Sequence, residues 1–237
     1  MNRPYIICHM ETSINAKIYG PYMDIPSREI HTLNYNHTHL ELKSEAWLCG
    51  RVTMEYFSGN GQPEFNPNTP IYPKEDFVAE TDLKDFVIVV DASGKLPWKT
   101  NSIQYSVRPE SHIIVILADD VNEQYVAYLR ERNISFIFAG DREALNFHLA
   151  VQKLQQLFNI NTLVVSGGAI VNGAFMNAGL IDEVSFVMAP VLDDAIGIPT
   201  LFERSPNLVS RPPIEFSLKS VEKLDGDNLW VRYLTKR

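Results

Sequence analysis

Cysteine is nearly missing from this chain: Cys8 and Cys49 are the two thiols among 237 residues. Two thiols make neither a disulfide framework nor a metal set, and each lies in an apolar stretch, so both read as buried free thiols. Positive charge is also short, with 21 Lys and Arg against 29 Asp and Glu, a formal net charge of −8. That balance excludes a main role in gripping nucleic acid or an anionic membrane. No apolar run approaches the ~18 residues of a membrane span, and the first residues show no basic region leading into an apolar one. The expectation is a cytoplasmic protein with no membrane or nucleic-acid partner. Internal repeats are absent, and residues 205–213 are too short a linker to separate two halves, so one domain over 1–237 is expected.

What is present is an alternation of apolar strands and amphipathic helices. Continuous Val and Ile runs predict strands over 86–90, 113–117, 135–138 and 162–165, covered on both faces, after shorter strands over 4–10 and 46–49. Helices are expected from about residue 27, over 51–57, 123–132 and 145–158, and again after Gly168. Val121, Tyr125, Tyr128, Leu129 and Arg132 form one stripe, and Leu145, Leu149, Leu154, Leu157 and Phe158 another; both read as core-facing. Residues 58–74, rich in Gly, Asn and Pro, read as a long surface loop. The end of the chain changes character: strands over 183–189, 214–221 and 229–234, the last two joined at Asp225-Gly226, predict an antiparallel hairpin. The fold class is therefore α/β, a mixed and mostly parallel sheet flanked by helices. His37 and His39, the closest pair among six histidines, read as a solvated helix end, and no metal is implied.

Three strand ends carry candidate chemistry. After the strand at 162–165 comes Ser166-Gly167-Gly168-Ala169-Ile170, where paired glycines let a ligand approach the backbone and a helix start offers unpaired N–H groups to an anion such as pyrophosphate. A crowded tight turn would require the same glycines. Gly50-Arg51-Val52-Thr53 repeats the logic, with a guanidinium whose planar fork matches phosphate oxygens; a solvated arginine and a capping threonine would look alike. At the third, Asp91 could bond a ribose hydroxyl while Ser93 and Lys95 meet a 2′-phosphate, or the segment is a solvated turn.

Together the segments RPYIICHMETSINAKI, AWLCGRVT, VVDASGKLP and SGGAIVNGAFMNAGLIDEVSFVMAPV resemble the dihydrofolate-reductase-like family over nearly the whole chain. The nearest branch is the reductase domain of the bifunctional riboflavin-biosynthesis deaminase-reductase. The resemblance implies an NADPH-dependent pyrimidine reductase acting on a small heterocycle or ribosylaminopyrimidine, usually a homodimer paired through its sheet, with a cis peptide at Gly167-Gly168. It assigns the cofactor to Gly50, Arg51, Thr53, Asp91, Ser93, Lys95, Gly167, Gly168, Ala169 and Ile170, with Lys17, Arg51 and Lys95 gathered in one positive place. It assigns the substrate to Ser13, Asn15, Lys17 and Ser166, and gives Asp182 and Glu183 to packing or the dimer.

The substrate side departs from the family. Where relatives read Ser, aliphatic, Asp, Gly, then Lys or Arg, this chain reads Ser13, Ile14, Asn15, Ala16, Lys17, and Ser166 replaces a usual Glu. Both acids are gone, and asparagine donates no proton near pH 7. Loop 58–74 has no arginine for a substrate phosphate, a place Lys17 is expected to fill. The proton donor is left unassigned, and two alternatives stand: pterin reduction of the dihydrofolate reductase type, or a non-catalytic NADPH-binding protein.

Overall fold

A computed structural model describes residues 2–59, 61–66, 68–205 and 208–236. Its backbone divides into two compact units, one formed by the first four residues with Glu45–Leu163, the other by Tyr5–Ser44 with Val164 onward.

In the first unit, β2 (Ala46–Gly50), β3 (Asp85–Val90), β5 (Ser111–Leu117) and β6 (Ser135–Phe138) run parallel, and the short β4 (Ser102–Ile103) lies antiparallel on β5. Every residue of β2, β5 and β6 is buried, as the unbroken apolar runs require. The register sets Gly50 opposite Val90 and Val90 opposite Ile116, so the carboxyl ends of these strands finish level. Helix α2 (Arg51–Ser58) leaves β2 without a loop. Helix α3 (Glu123–Glu131) is capped by the Asn122 side chain and buries Tyr125, Tyr128 and Leu129, as its stripe predicts. Helix α4 (Phe147–Phe158) corrects the other stripe. Its buried face is Ala150, Val151 and Leu154, while Leu157 is 42% exposed. Asn146 caps it by accepting from the Leu149 N–H, so the helix starts two residues later than apolar spacing suggests.

In the second unit, β1 (Tyr5–Thr12) pairs parallel with β8 (Glu183–Met188), and β10 (Leu229–Thr235) pairs antiparallel with both β8 and β9 (Phe216–Lys223). A 3₁₀ turn at Asp225–Asp227 joins the last two, the expected hairpin. The chain crosses from the first unit to the second within β7 (Thr162–Val165), which leads through the glycine pair into α5 (Ala169–Asn177). Helix α1 (Arg28–Glu41) buries a polar face: His31, Asn34, Asn36, Thr38 and His39. Asn34 donates to the Asp225 carbonyl at 2.8 Å and His31 meets the Asn228 amide oxygen at 3.0 Å, which satisfies these groups away from water. His39 therefore corrects the solvated reading of the histidine pair. It is 5% exposed, with its ring 6.0 Å from that of His9, while His37 stays outside and pairs with Glu41.

Cys8 and Cys49 are free and buried, and burial pushes the Cys49 thiol up to about 12. No helix among the described residues is long and apolar enough to cross a membrane.

Candidate functional site

The first unit assembles one group of expected residues because β2 and β3 are neighbours in register. Gly50 caps α2 with no side chain to satisfy its first N–H groups. Arg51 follows at once, paired with Glu55 one turn on, and Thr53 is exposed on the first turn. Beside them the chain leaves β3 through Asp91 into a tight loop. Asp91 is 1% exposed, and one carboxylate oxygen accepts the Lys95 N–H at 2.7 Å, the Leu96 N–H at 3.0 Å and the Tyr125 hydroxyl at 3.3 Å. Burial pushes its carboxyl above the usual range, while these donors and the nearby Arg51 guanidinium pull it down. Its other oxygen, Oδ1, is buried and has no hydrogen-bond partner among the described residues. The bonded oxygen shapes the loop, in which Ser93 is half-buried and Lys95 exposed. Gly94 makes that turn possible: its φ is +64°, and an added Cβ would lie 2.4 Å from the Tyr125 ring.

The second unit holds the rest. Gly167 has φ +94° and is joined to Gly168 by a cis peptide, as the resemblance implied. A Cβ at Gly167 would come within 3.1 Å of the Met10 side chain at the end of β1. Gly168 is the N-cap of α5 and offers no side-chain acceptor, so the first N–H groups of the helix, at Ala169 and Ile170, are left for another partner. Ile170 is half exposed and Ser166 half-buried.

Loop 13–17 is knitted inward. The Ser13 hydroxyl donates to the Asn15 side-chain oxygen at 2.8 Å and accepts the Lys17 N–H at 3.0 Å. The Asn15 amide donates to the Asp193 carbonyl at 2.7 Å and its oxygen takes the Asp193 N–H at 3.3 Å. The Lys17 ammonium donates to the Ile198 carbonyl at 2.8 Å. Ser13, Asn15 and Lys17 thus clamp this loop to residues 191–200, with their polar atoms committed within the chain.

Sequence reasoning missed four members of this neighbourhood: Glu11, Tyr22, Arg28 and Asp193. Glu11 and Arg28 form an ion pair, and the Asp193 carboxylate accepts the Tyr22 N–H at 3.0 Å. The signal available was a carboxylate that follows the run 6–10 inside the same strand. Among the described residues no three His, Cys, Asp or Glu side chains converge as a metal set.

A family model described as the RibD C-terminal domain matches residues 4–230. The chain belongs to that family. A curated relative from Aquifex aeolicus, named 2,5-diamino-6-ribosylamino-4(3H)-pyrimidinone 5′-phosphate reductase, is 24% identical over 208 residues, 85% of this chain and 83% of its own. One of the same name from Methanothermobacter thermautotrophicus is 26% identical over 149 residues, 63% of this chain and 65% of its own. Among solved structures, a pyrimidine reductase-like protein from Corynebacterium diphtheriae superposes over 100% of this chain and 93% of that one, with a TM-score of 0.67 at 16% identity. The family and these relatives make the chain an oxidoreductase of the riboflavin-pathway pyrimidine-reductase kind, and its mixed α/β fold is shared with the solved pyrimidine reductase-like protein.

Proposed function

We propose that this chain is an NADPH-dependent reductase of a ribosylaminopyrimidine phosphate, the substrate class in the names of its curated relatives. The observation that carries the reading is the Gly167-Gly168 junction, where β7 opens without side chains onto an uncapped helix start against Met10. Gly167, Gly168, Ala169 and Ile170 would take a phosphate group with backbone N–H donors. In the first unit, Gly50, Arg51 and Thr53 offer a second uncapped helix start with a guanidinium, and Ser93 and Lys95 supply polar contacts for the 2′-phosphate end. When bound, the nicotinamide supplies a hydride; the protein orients the acceptor and excludes water. Ser13, Asn15, Lys17 and Ser166 frame the substrate side, the first three through the fold of their loop.

Thermal shift and cofactor oxidation test this. NADPH is expected to raise the melting temperature, and the ribosylaminopyrimidine phosphates to drive its oxidation; no shift with NADPH would sink the reading. Arg51→Ala should weaken NADPH by about ten-fold and NADH far less. Equal losses would move Arg51 away from the 2′-phosphate. The inward commitment of loop 13–17 favours one second reading, a protein that binds NADPH without turnover, and binding with no oxidation would select it.

A homodimer belongs to the same proposal. A bulge in β9 lets Leu218 and Val221, three residues apart, pair with Tyr233 and Val231 and so share one face, where they are 59% and 53% exposed. Light scattering on the purified chain should give twice the monomer mass.

A further inference from the structure

Two of the buried polar atoms of the second unit that have no hydrogen-bond partner among the described residues belong to Glu11 and Tyr22. Glu11, next to last in β1, is 7% exposed; Arg28 at the start of α1 pairs with one carboxylate oxygen, and the other, Oε2, meets no donor. Tyr22, in the 3₁₀ turn Pro21–Asp24, is 2% exposed and its hydroxyl is also unpartnered. Burial raises both groups, and the Glu11 charge adds to the rise at Tyr22 while Arg28 opposes it at both. The groups facing this spot are Arg28 and Tyr35 from α1, Tyr22 from the 3₁₀ turn, Asp193 from the segment after β8, and His9 from the same face of β1.

The other buried carboxylates of the unit are occupied. Glu183 takes the Tyr5 hydroxyl, Lys219 and Arg232, and Asp193 takes the Tyr22 and Ala195 N–H groups. Among the described carboxylates of this unit, Glu11 alone combines burial with an oxygen left over, and it stands two residues before Ser13, next to Met10, whose side chain lies against Gly167. The Arg28 guanidinium, 27% exposed, leads from Glu11 to solvent.

We infer that Glu11 is the acid of this site, a catalytic residue that gives its proton to the nitrogen of the substrate C=N bond, with the Tyr22 hydroxyl holding the ring edge beside it. The inference rests on the reductase reading above. The C=N carbon gains the hydride pair and its nitrogen gains the Glu11 proton; the carboxyl O–H bond breaks, and the carboxylate is balanced by Arg28 until solvent returns a proton. Asn15 and Ser166 cannot take this part, because neither an amide nor a hydroxyl releases a proton readily near pH 7.

The test uses the full chain and its Glu11→Gln variant, with circular dichroism to confirm that the variant folds. Expected are NADPH affinity within about two-fold of the wild type, a fall in kcat of about a hundred-fold or more, and loss of the alkaline limb of the kcat profile. An activity-independent readout is the infrared C=O stretch of a protonated carboxyl in the ligand-free wild type just above pH 4.5, seen as a band in the difference between the wild-type and variant spectra. A difference spectrum without that band, or a variant whose kcat stays within about three-fold, overturns the inference while leaving the reductase reading intact. No NADPH oxidation by the wild type with either a diaminopyrimidinone or an aminouracil ribosylamino phosphate overturns both.

Discussion

Glu183 and Glu11 are buried carboxylates of one unit, at the amino end of β8 and near the carboxyl end of β1, and the chain treats them in opposite ways. Glu183 is fully enclosed, and its oxygens take Arg232 at 2.5 Å, Lys219 at 2.7 Å and the Tyr5 hydroxyl at 3.0 Å. Glu11 has one guanidinium and one oxygen to spare. A saturated carboxylate is a cross-link, since every acceptor is met and the charge is offset on both sides. A half-satisfied one is expensive to hold and cheap to protonate, the condition a proton donor needs. The apolar strand around both is similar; the number of donors delivered to each separates structure from chemistry.

Breaking the saturated end should have the larger effect on stability. Glu183→Ala leaves Arg232 and Lys219 without their anion, and urea unfolding should register a loss of about 3–5 kcal/mol. A loss below about 1 kcal/mol would make the cluster a solvated surface pair and dissolve the contrast.

A smaller effect is expected from pH at the other end. Glu11 holds its proton above the ordinary glutamate value of 4.5, so beyond that pH the folded chain binds more protons than the unfolded one. The Glu11 contribution to stability is therefore whole below 4.5 and declines as pH rises toward the raised value. Glu11→Gln removes that decline, and unfolding measured from about pH 4.5 to pH 8 should show a flatter profile for the variant than for the wild type. Parallel profiles would mean that Glu11 is ionised throughout. Smallest of all is Tyr22→Phe, which deletes a buried hydroxyl that has no partner: stability should be unchanged or higher by up to ~1 kcal/mol, although turnover falls. A clear destabilisation would show that the hydroxyl is already satisfied.

How far the sequence could be read followed the burial of each segment. The β3, β5, β6 and β7 runs and the Asp225-Gly226 hairpin were legible because their signals are local: continuous apolar residues, or a turn that favours positive φ. The glycine junctions were legible for the same reason. Helix α1 was visible only at its start, since its buried face is made of Asn, His and Thr, whose partners in the Asp225–Asn228 turn lie almost two hundred residues away. In α4 the long leucines suggested the core, but of them only Leu154 is fully buried, beside Ala150 and Val151, while Leu157 is exposed. Asp91 was named as a candidate from the sequence and Glu11 was not. Position at a strand end marks the first, whereas the second is distinguished only by what surrounds it.

By itself the sequence determined the family, the order of the elements and the backbone character of the Gly50 and Gly167-Gly168 junctions, because each depends on residues adjacent in the chain. Tertiary structure decided what every polar side chain does. It bonded one Asp91 oxygen into its loop, tied Ser13, Asn15 and Lys17 to residues 191–200, saturated Glu183 and left Glu11 short of a donor. The physical reason is that the fate of a buried charge is set by the donors and solvent within a few ångströms, and chain folding alone brings those from distant parts of the sequence.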